Sequence, residues 1–328
     1  MENWLKDIRI QNFKSLRDVS FECERINLFV GKPNVGKSNL LEALSLLGPN
    51  YLHNGFGFGR PMLRYEQASN LFFDQGFLED KIVISANGGV SATLNFEQDG
   101  FQYQMEVKAH GSVSAMFSSD GSIRGFNVSK EKVFYPLKYF IFPENQRFVP
   151  NGYAVSLTPP HGENFLNVLQ SHKNIRKEVS SLFEPYGLEL LVDSQLTRLE
   201  VVKRQDGILF KTPYALVADT LRRYLFHLAA IESNRDSVLL FEEPESHNYP
   251  PYIQLLAQRM MEEKTNQYFI TTHSPFLFNT LIEDAKDVAV FMVEYEDFQT
   301  KVRRLSEENL REILDYGLNI FTEQELFV

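Results

Sequence analysis

The stretch GKPNVGKS, residues 31–38, matches the pattern GxxxxGK[ST] at every fixed position. The apolar run Ile26–Val30 precedes it, and leucines at helical spacing follow it from Leu40 to Leu47. A strand, a glycine-bounded loop and a helix in this order are the context that the pattern requires. Because glycines let a loop backbone approach anionic oxygens closely, the stretch predicts a phosphate-binding loop beside a parallel sheet.

The loop assigns chemistry to particular side chains. Lys37 is expected to reach the β- and γ-phosphates of a nucleoside triphosphate, and Ser38 to ligate Mg²⁺. The residues predicted to contact the nucleotide are Gly31, Asn34, Val35, Gly36, Lys37, Ser38 and Asn39.

A second signal is SVLLFEEP, residues 237–244, an apolar strand that ends in Glu242 and Glu243. Adjacent side chains at a strand end point in opposite directions, so one carboxylate can approach Mg²⁺ while the other faces an attacking water. Alone, the pair is better interpreted as a solvated acidic turn. Together with the phosphate loop, it favours nucleotide hydrolysis.

A third signal is YFITTHSP, residues 268–275, again a strand that ends in polar groups. His273 can hydrogen-bond a γ-phosphate oxygen or the attacking water. A single histidine after a strand is usually structural, but this one follows the acid pair by one helix and one strand. That order favours a functional histidine.

Composition excludes several classes of protein. The chain has 328 residues, 43% of them hydrophobic, and a single cysteine, so neither wholesale disorder nor a disulfide scaffold fits. Lys and Arg number 33 against 43 Asp and Glu, a net charge of −10, which disfavours a surface built mainly to cover a nucleic-acid backbone. Residues 1–10 are polar and charged where a signal peptide would need an apolar core, and no run of 18 apolar residues occurs. We therefore expect a cytoplasmic protein without membrane contact.

Hydrophobic periodicity predicts the order of elements. Two strands flank a turn at residues 12–15, and period-two alternation over residues 81–127 predicts an antiparallel meander. The later elements are expected to be helices near 163–183, 217–233 and 252–263, and strands at 237–241 and 267–270. Because these last elements alternate, they predict a parallel sheet.

Four segments together resemble a known family. They are IRIQNFKSL (8–16), the phosphate loop with NLLEA (39–43), FEEPESH (241–247) and TTHSP (271–275). In this order they resemble the ABC-type ATPase heads of the RecF/SMC-like group, and most closely stand-alone ATPases related to the overcoming-lysogenisation-defect family. The resemblance implies an α/β P-loop NTPase fold in one domain, residues 1–328. Its parts would be an N-terminal lobe with the β meander (1–130), a short helical insertion (131–200) and a C-terminal lobe (201–328).

The resemblance also implies roles. Lys37 and Ser38 correspond to the Walker A pair, Glu242 to the Walker B acid, Glu243 to the catalytic base and His273 to the switch histidine, with ATP and Mg²⁺ as ligands. The family usually has aspartate where Glu242 stands.

Two further features of the family have less direct counterparts in this sequence. The signature loop falls at residues 217–220 and lacks the usual serine and glycine. Asp219 is expected to cap its own helix and leave Thr220 for a partner's γ-phosphate. A glutamine-bearing lid loop is expected within residues 65–75, with Gln67 and Gln75 as equal candidates.

The family context implies Mg²⁺-dependent ATP hydrolysis by a head-to-tail homodimer that controls a separately encoded effector, with nucleases among the candidates, in phage defence or DNA repair. A slow or inactive nucleotide-gated scaffold, whose output is partner binding, is the alternative. Nucleic acid stays open as a partner. Lys301, Arg303 and Arg304 form a basic cluster, for which a solvated face is the favoured interpretation.

Overall fold

The computed structural model describes residues 4–48, 57–97, 100–108, 111–129, 136–149, 154–193 and 197–327. The chain divides into two compact units. The first contains residues 1–139, 236–243 and 267–328, and the second contains residues 140–235 and 244–266.

The strands of the described residues are, in chain order, β1 (Asp7–Phe13), β2 (Leu16–Glu22), β3 (Ile26–Val30), β4 (Ile82–Ala86), β5 (Val90–Glu97), β6 (Gly100–Val107), β7 (Gly111–Phe117), β8 (Ile123–Val128), β9 (Leu137–Phe140), β10 (Leu188–Asp193), β11 (Arg198–Gln205), β12 (Ile208–Pro213), β13 (Val238–Glu242), β14 (Gln267–Thr271), β15 (Val288–Glu296) and β16 (Gln299–Arg304). The α-helices are α1 (Lys37–Ser45), α2 (Phe165–Ser171), α3 (Lys173–Phe183), α4 (Asp219–Ser233), α5 (Pro250–Glu262), α6 (Pro275–Asp284) and α7 (Glu307–Tyr316).

A six-stranded sheet positions the predicted loop in the first unit. Its order is β16-β15-β3-β14-β13-β9. The pairs β13–β14, β14–β3 and β3–β15 are parallel, while β16 returns antiparallel to β15. Every residue of β3 and β14 is buried, as expected for strands with both faces covered. The parallel sheet predicted from the alternating elements is thus confirmed.

A second sheet of this unit is the antiparallel meander, with strand order β2-β1-β4-β5-β6-β7-β8. Its strands β4 to β7 alternate buried and less buried side chains. On the buried side, the rings of Phe58 and Phe117 stack with centroids 3.9 Å apart. The meander predicted over residues 81–127 is confirmed.

The N-terminal hairpin differs from the prediction. A turn alone was expected between the first strand and β3, but β1 continues to Phe13 and β2 pairs antiparallel with it. The strand β2 was missed because its buried residues, Leu16, Val19 and Phe21, are not evenly spaced by two. Residues 16–22 form a strand because they pair with β1, and no period-two pattern marks them.

The second unit contains α2 to α5 and the three-stranded antiparallel sheet β10-β11-β12. The single helix predicted over residues 163–183 is wrong, since His172 adopts an extended backbone between α2 and α3. The side chain of Arg176 donates to the carbonyl of Leu169 at 2.8 Å and also binds the carbonyl of Gln170. These carbonyls at the end of α2 therefore find a partner outside a continuous helix. Among the described residues, no helix has both the length and the apolar character needed to cross a bilayer.

Candidate functional site

The two glycines of the phosphate loop are required by neighbouring strands. A Cβ on Gly31 would lie 2.2 Å from the backbone oxygen of Val293 in β15. Gly36 has φ 100°, and a Cβ there would lie 2.1 Å from Thr300 Oγ1 and 2.8 Å from Ser15 Oγ. All three distances are shorter than van der Waals contact, so only glycine lets the loop pass this close to β15 and β16.

We expect Gly36→Ala to destabilise the protein by about 1–3 kcal/mol, because the new Cβ adds a clash to a strained backbone. Thermal unfolding measures the loss. Gly88→Ala is the matched control, because Gly88 also has a positive φ of 57° but nothing within 4 Å of the added Cβ. Equal losses in both variants would mean that the approach of Thr300 plays no part.

The hydroxyl groups of Thr300 and Ser15 form hydrogen bonds that hold the phosphate loop in place. Thr300 Oγ1 donates to the carbonyl of Val35 at 2.8 Å and lies 2.7 Å from Ser15 Oγ. The Asn39 amide donates to the same Ser15 oxygen at 2.8 Å. Of these residues, Val35 and Asn39 were predicted to belong to the site, whereas Ser15 and Thr300 were not. Thr300 comes from β16, and no local pattern marks it.

Lys37 lies at the base of the loop with a side chain that is almost fully buried, the residue being 6% exposed. Its ammonium donates to the carbonyls of Gly31 at 2.9 Å and Lys32 at 2.7 Å. Burial lowers the pKa of Lys37 to about 8, against the opposing attraction of Glu243 and Glu242. The ammonium is therefore mostly protonated at neutral pH and held at the loop.

This pKa predicts an alkaline limit for catalysis. Because kcat/KM reports the free enzyme, it is expected to fall above pH about 8 as Lys37 loses its proton, and to be unaffected by this group at lower pH. The measurement is a pH profile of steady-state phosphate release. A kcat/KM that stays constant up to about pH 9.5 would contradict the expectation.

The side chains of Ser38 and Glu242 form a direct hydrogen bond. The Ser38 hydroxyl donates to Oε1 of Glu242, and the Tyr139 hydroxyl donates to Oε2 at 2.8 Å. The longer glutamate, where the family usually has aspartate, thus reaches the loop serine. A hydroxyl and a carboxylate side by side are the oxygen donors that Mg²⁺ prefers, and a P-loop Mg²⁺ takes its other ligands from phosphate and water. The residues therefore fit the predicted ion.

Glu243 follows β13 in a left-handed backbone conformation, φ 43°. Its N–H donates to the carbonyl of Thr271 at 3.0 Å, and its Oε1 lies 3.6 Å from Nε2 of His273. Burial, together with the charge of Lys37, lowers the pKa of His273 despite the nearby Glu243. His273 is therefore neutral at pH 7, so one ring nitrogen can donate and the other accept. Strained backbone at such a position is typical of functional sites.

Lys37, Ser38, Glu243 and His273 line one cavity of about 380 Å³, which Glu242 does not border. It is bounded by Lys14, Pro33, Asn34, Gly36, Lys37, Ser38, Asn39, Glu42, Arg64, Glu243, Thr271 and His273. The loop, Glu243 and His273, predicted from three separate stretches, are thus neighbours in the structure. Each lies at a carboxyl end of a parallel strand, where α/β sheets bind ligands.

Two cations of this cavity were missed by sequence reasoning. Lys14 and Arg64 both bind the carboxylate of Glu42, which is 1% exposed. Arg64 Nε donates at 2.8 Å, and a second Arg64 nitrogen lies 3.4 Å from Oε1 of Glu242. Desolvation by burial lowers the pKa of Lys14, partly offset by Glu42. The buried acid fixes both cations beside the loop. Lys14 belongs to the NFKS segment, but Arg64 has no sequence signal.

The predicted lid is not part of this lining. Neither Gln67 nor Gln75 borders the cavity, and Arg64, just before that segment, does. The lid loop within residues 65–75 stays a prediction, with Gln67 and Gln75 as equal candidates.

The signature-like segment belongs to the second unit, where α4 begins at Asp219. The prediction that Asp219 caps this helix is wrong. Its carboxylate binds Arg222 at 2.9 Å and Arg223 at 2.6 Å, one turn along, while the cap position is Ala218. Since Asp219 is itself the first helical residue, its side chain is drawn to these arginines. Thr220 donates its hydroxyl to the carbonyl of His247 at 2.9 Å.

Residues 26–279 match the family model described as "AAA domain, putative AbiEii toxin, Type IV TA system". A protein of Helicobacter pylori named ATP/GTP phosphatase is 21% identical over 368 aligned residues, covering 97% of this chain and 100% of the relative.

Two solved structures show the same fold. An Smc head bound to the C-terminal winged-helix domain of ScpA has TM-score 0.54 at 14% identity and covers 94% of this chain and 100% of its own. An Smc head with an extended coiled coil, from a Pyrococcus furiosus complex, has TM-score 0.53 at 11% identity, with 96% and 99% covered. The predicted fold, an α/β P-loop NTPase with an ABC-type head, is confirmed.

Proposed function

The chain belongs to this AAA domain family and is a P-loop ATPase, and we propose that it acts as a Mg²⁺-dependent ATPase whose two copies pair head to tail around ATP. The observation that carries the proposal is the cavity in which Glu243 and His273 face the loop of Lys37 and Ser38. An acid, a neutral imidazole and a phosphate loop in one cavity are the parts that triphosphate hydrolysis needs.

Each side chain has a task in this scheme. Lys37 binds the β- and γ-phosphate oxygens in place of the loop carbonyls that it contacts at 2.7 and 2.9 Å. Ser38 and Glu242 would hold Mg²⁺, which when bound neutralises phosphate charge. Glu243 orients the attacking water and accepts its proton. Neutral His273 donates a hydrogen bond to the γ-phosphate or to the water. Arg64 and Lys14 add positive charge beside the loop, held by Glu42.

Pairing is proposed because a nucleotide on this loop would be open to water on one side. In a head-to-tail dimer, the start of α4 in the partner would cover the γ-phosphate with free N–H groups and the positive end of the helix dipole. Asp219 is neutralised by two arginines, so its repulsion of phosphate is reduced.

We expect Thr220→Arg to abolish ATP-dependent dimerisation by steric bulk while each monomer still binds ATP. Light scattering after size exclusion measures the dimer, and calorimetric titration measures the binding. Ser181→Arg is the control, because it places the same side chain on an exposed helical hydroxyl position of α3 in the same unit. If Thr220→Arg dimerises with ATP as readily as the unsubstituted protein, the pairing through α4 is wrong.

The output of this cycle is proposed to be the control of a separately encoded effector, in phage defence or DNA repair, as the resemblance of the four sequence segments to the overcoming-lysogenisation-defect family implies. One observation favours the alternative, a nucleotide-gated scaffold. Asp219 and Thr220 are both engaged in local hydrogen bonds, and the usual signature serine is missing. A steady-state phosphate-release assay separates the two, because a scaffold binds ATP with little or no turnover.

A further inference from the structure

The hairpin of β11 and β12 in the second unit ends in an unpaired edge. Within the described residues, β12 is the last strand of its three-stranded sheet, and all six of its residues are exposed. Ile208, Leu209 and Phe210 are 58%, 49% and 52% exposed. Three consecutive large apolar residues on an open strand edge are a feature that folded proteins normally avoid or cover.

The geometry of the turn between β11 and β12 determines which N–H and C=O groups of β12 point away from β11. Asp206 and Gly207 have φ 51° and 79° and join Gln205 to its partner Ile208. Positive φ at both positions is typical of a two-residue hairpin turn, whose flanking pair exchanges hydrogen bonds. Since hydrogen-bonded and non-hydrogen-bonded pairs alternate, the N–H and C=O groups of Leu209 and Lys211 point away from β11.

The local charge of the β11–β12 hairpin determines which kind of partner segment can bind at the edge of β12. Residues 198–213 carry four cations and two acids, a local charge of +2 in a chain of −10. Lys211 pairs with Glu200 at 3.0 Å. Lys203 and Arg204 are exposed and, within the described part of the chain, have no carboxylate within ion-pair distance. Their register with Phe210 and Leu209 puts one cation on each face of the hairpin.

We propose that β12 is a docking edge for an extended, acidic segment of a partner protein, which adds as a fourth strand through the backbone of Leu209 and Lys211. Apolar side chains on one face of the added strand cover Ile208 and Phe210, and acids on its other face, beside Leu209, meet Arg204. Pro213, which lacks an N–H, ends the pairing. This inference does not depend on ATP hydrolysis, because no residue of β12 borders the nucleotide cavity.

The test uses the full chain and a fluorescein-labelled peptide of sequence EVDIEVDV, with KVKIKVKV as its basic counterpart, measured by fluorescence anisotropy. The acidic peptide is expected to bind at least about tenfold more tightly than the basic one. Leu209→Pro is expected to weaken that binding by at least about tenfold, because it removes an outward N–H and leaves the ladder to β11 intact. Leu209→Val, which keeps this N–H, should bind as the unsubstituted protein does.

A second variant, Lys203→Glu with Arg204→Glu, keeps the proposal testable if the proline variant misfolds, because it changes no backbone group. It should also bind the acidic peptide at least about tenfold more weakly. Circular dichroism checks the fold, and ATP binding should be unchanged in all variants. No binding of the acidic peptide, or binding that both variants leave intact, would overturn the proposal. A peptide-free dimer that Leu209→Pro dissolves would overturn it in favour of self-association.

Discussion

Lys37→Ala is expected to weaken the binding of Mg-ATP by about 100-fold or more, because a charged donor aimed at the β- and γ-phosphates is lost. Calorimetric titration measures the affinity. The other cations beside the loop do not replace this ammonium, since Lys14 and Arg64 are engaged by the buried carboxylate of Glu42.

The control for this variant is Lys32→Ala in the same loop. Lys32 is exposed, and only its backbone carbonyl contacts Lys37. Removing its side chain lowers the local charge equally but leaves that hydrogen bond, so the affinity should change little. If Lys37→Ala binds Mg-ATP like the unsubstituted protein, the loop is not the nucleotide site.

Glu243→Gln is expected to keep ATP binding and to lower kcat by about 10²–10⁴-fold, because the amide retains the shape but cannot accept the proton of the attacking water. The side chain borders the cavity beside His273. Since hydrolysis would open an ATP-held pair, this variant should also accumulate as a dimer in ATP. Phosphate release measures the rate, and light scattering measures the dimer.

Glu262→Gln makes the matched comparison, because it applies the same change to an exposed acid of α5, in the second unit. Its rate should equal that of the unsubstituted protein. A Glu243→Gln variant with unchanged turnover would assign the base to another residue. Lost turnover without a dimer would keep the base and contradict the proposed pairing.

The sequence predicted those parts of the site that lie within single stretches of chain. The loop of residues 31–38 needs a strand before it and a helix after it, and both β3 and α1 follow from local apolar spacing. Glu243 and His273 could be placed near this loop because they follow strands β13 and β14, whose carboxyl ends meet at one edge of a parallel sheet.

Apolar periodicity failed where hydrogen bonds of nearby polar side chains decided the structure. Asp219 was expected to cap α4, yet two arginines in the next turn hold its carboxylate. The break at His172 divides a continuous apolar stripe, which periodicity alone interprets as one helix. In both cases the hydrogen bonds of particular side chains, which a hydrophobic pattern does not contain, determined the result.

The sequence by itself therefore determined the fold class and predicted the roles of Lys37, Ser38, Glu242 and Glu243, because strand, loop and helix signals are local. Only the tertiary structure decided how the loop is held. Thr300 contacts Val35 across 265 positions of the chain, and Glu42 brings Lys14 and Arg64 to the cavity. Such contacts depend on which strands become neighbours in the folded sheet, and no spacing along the chain encodes them.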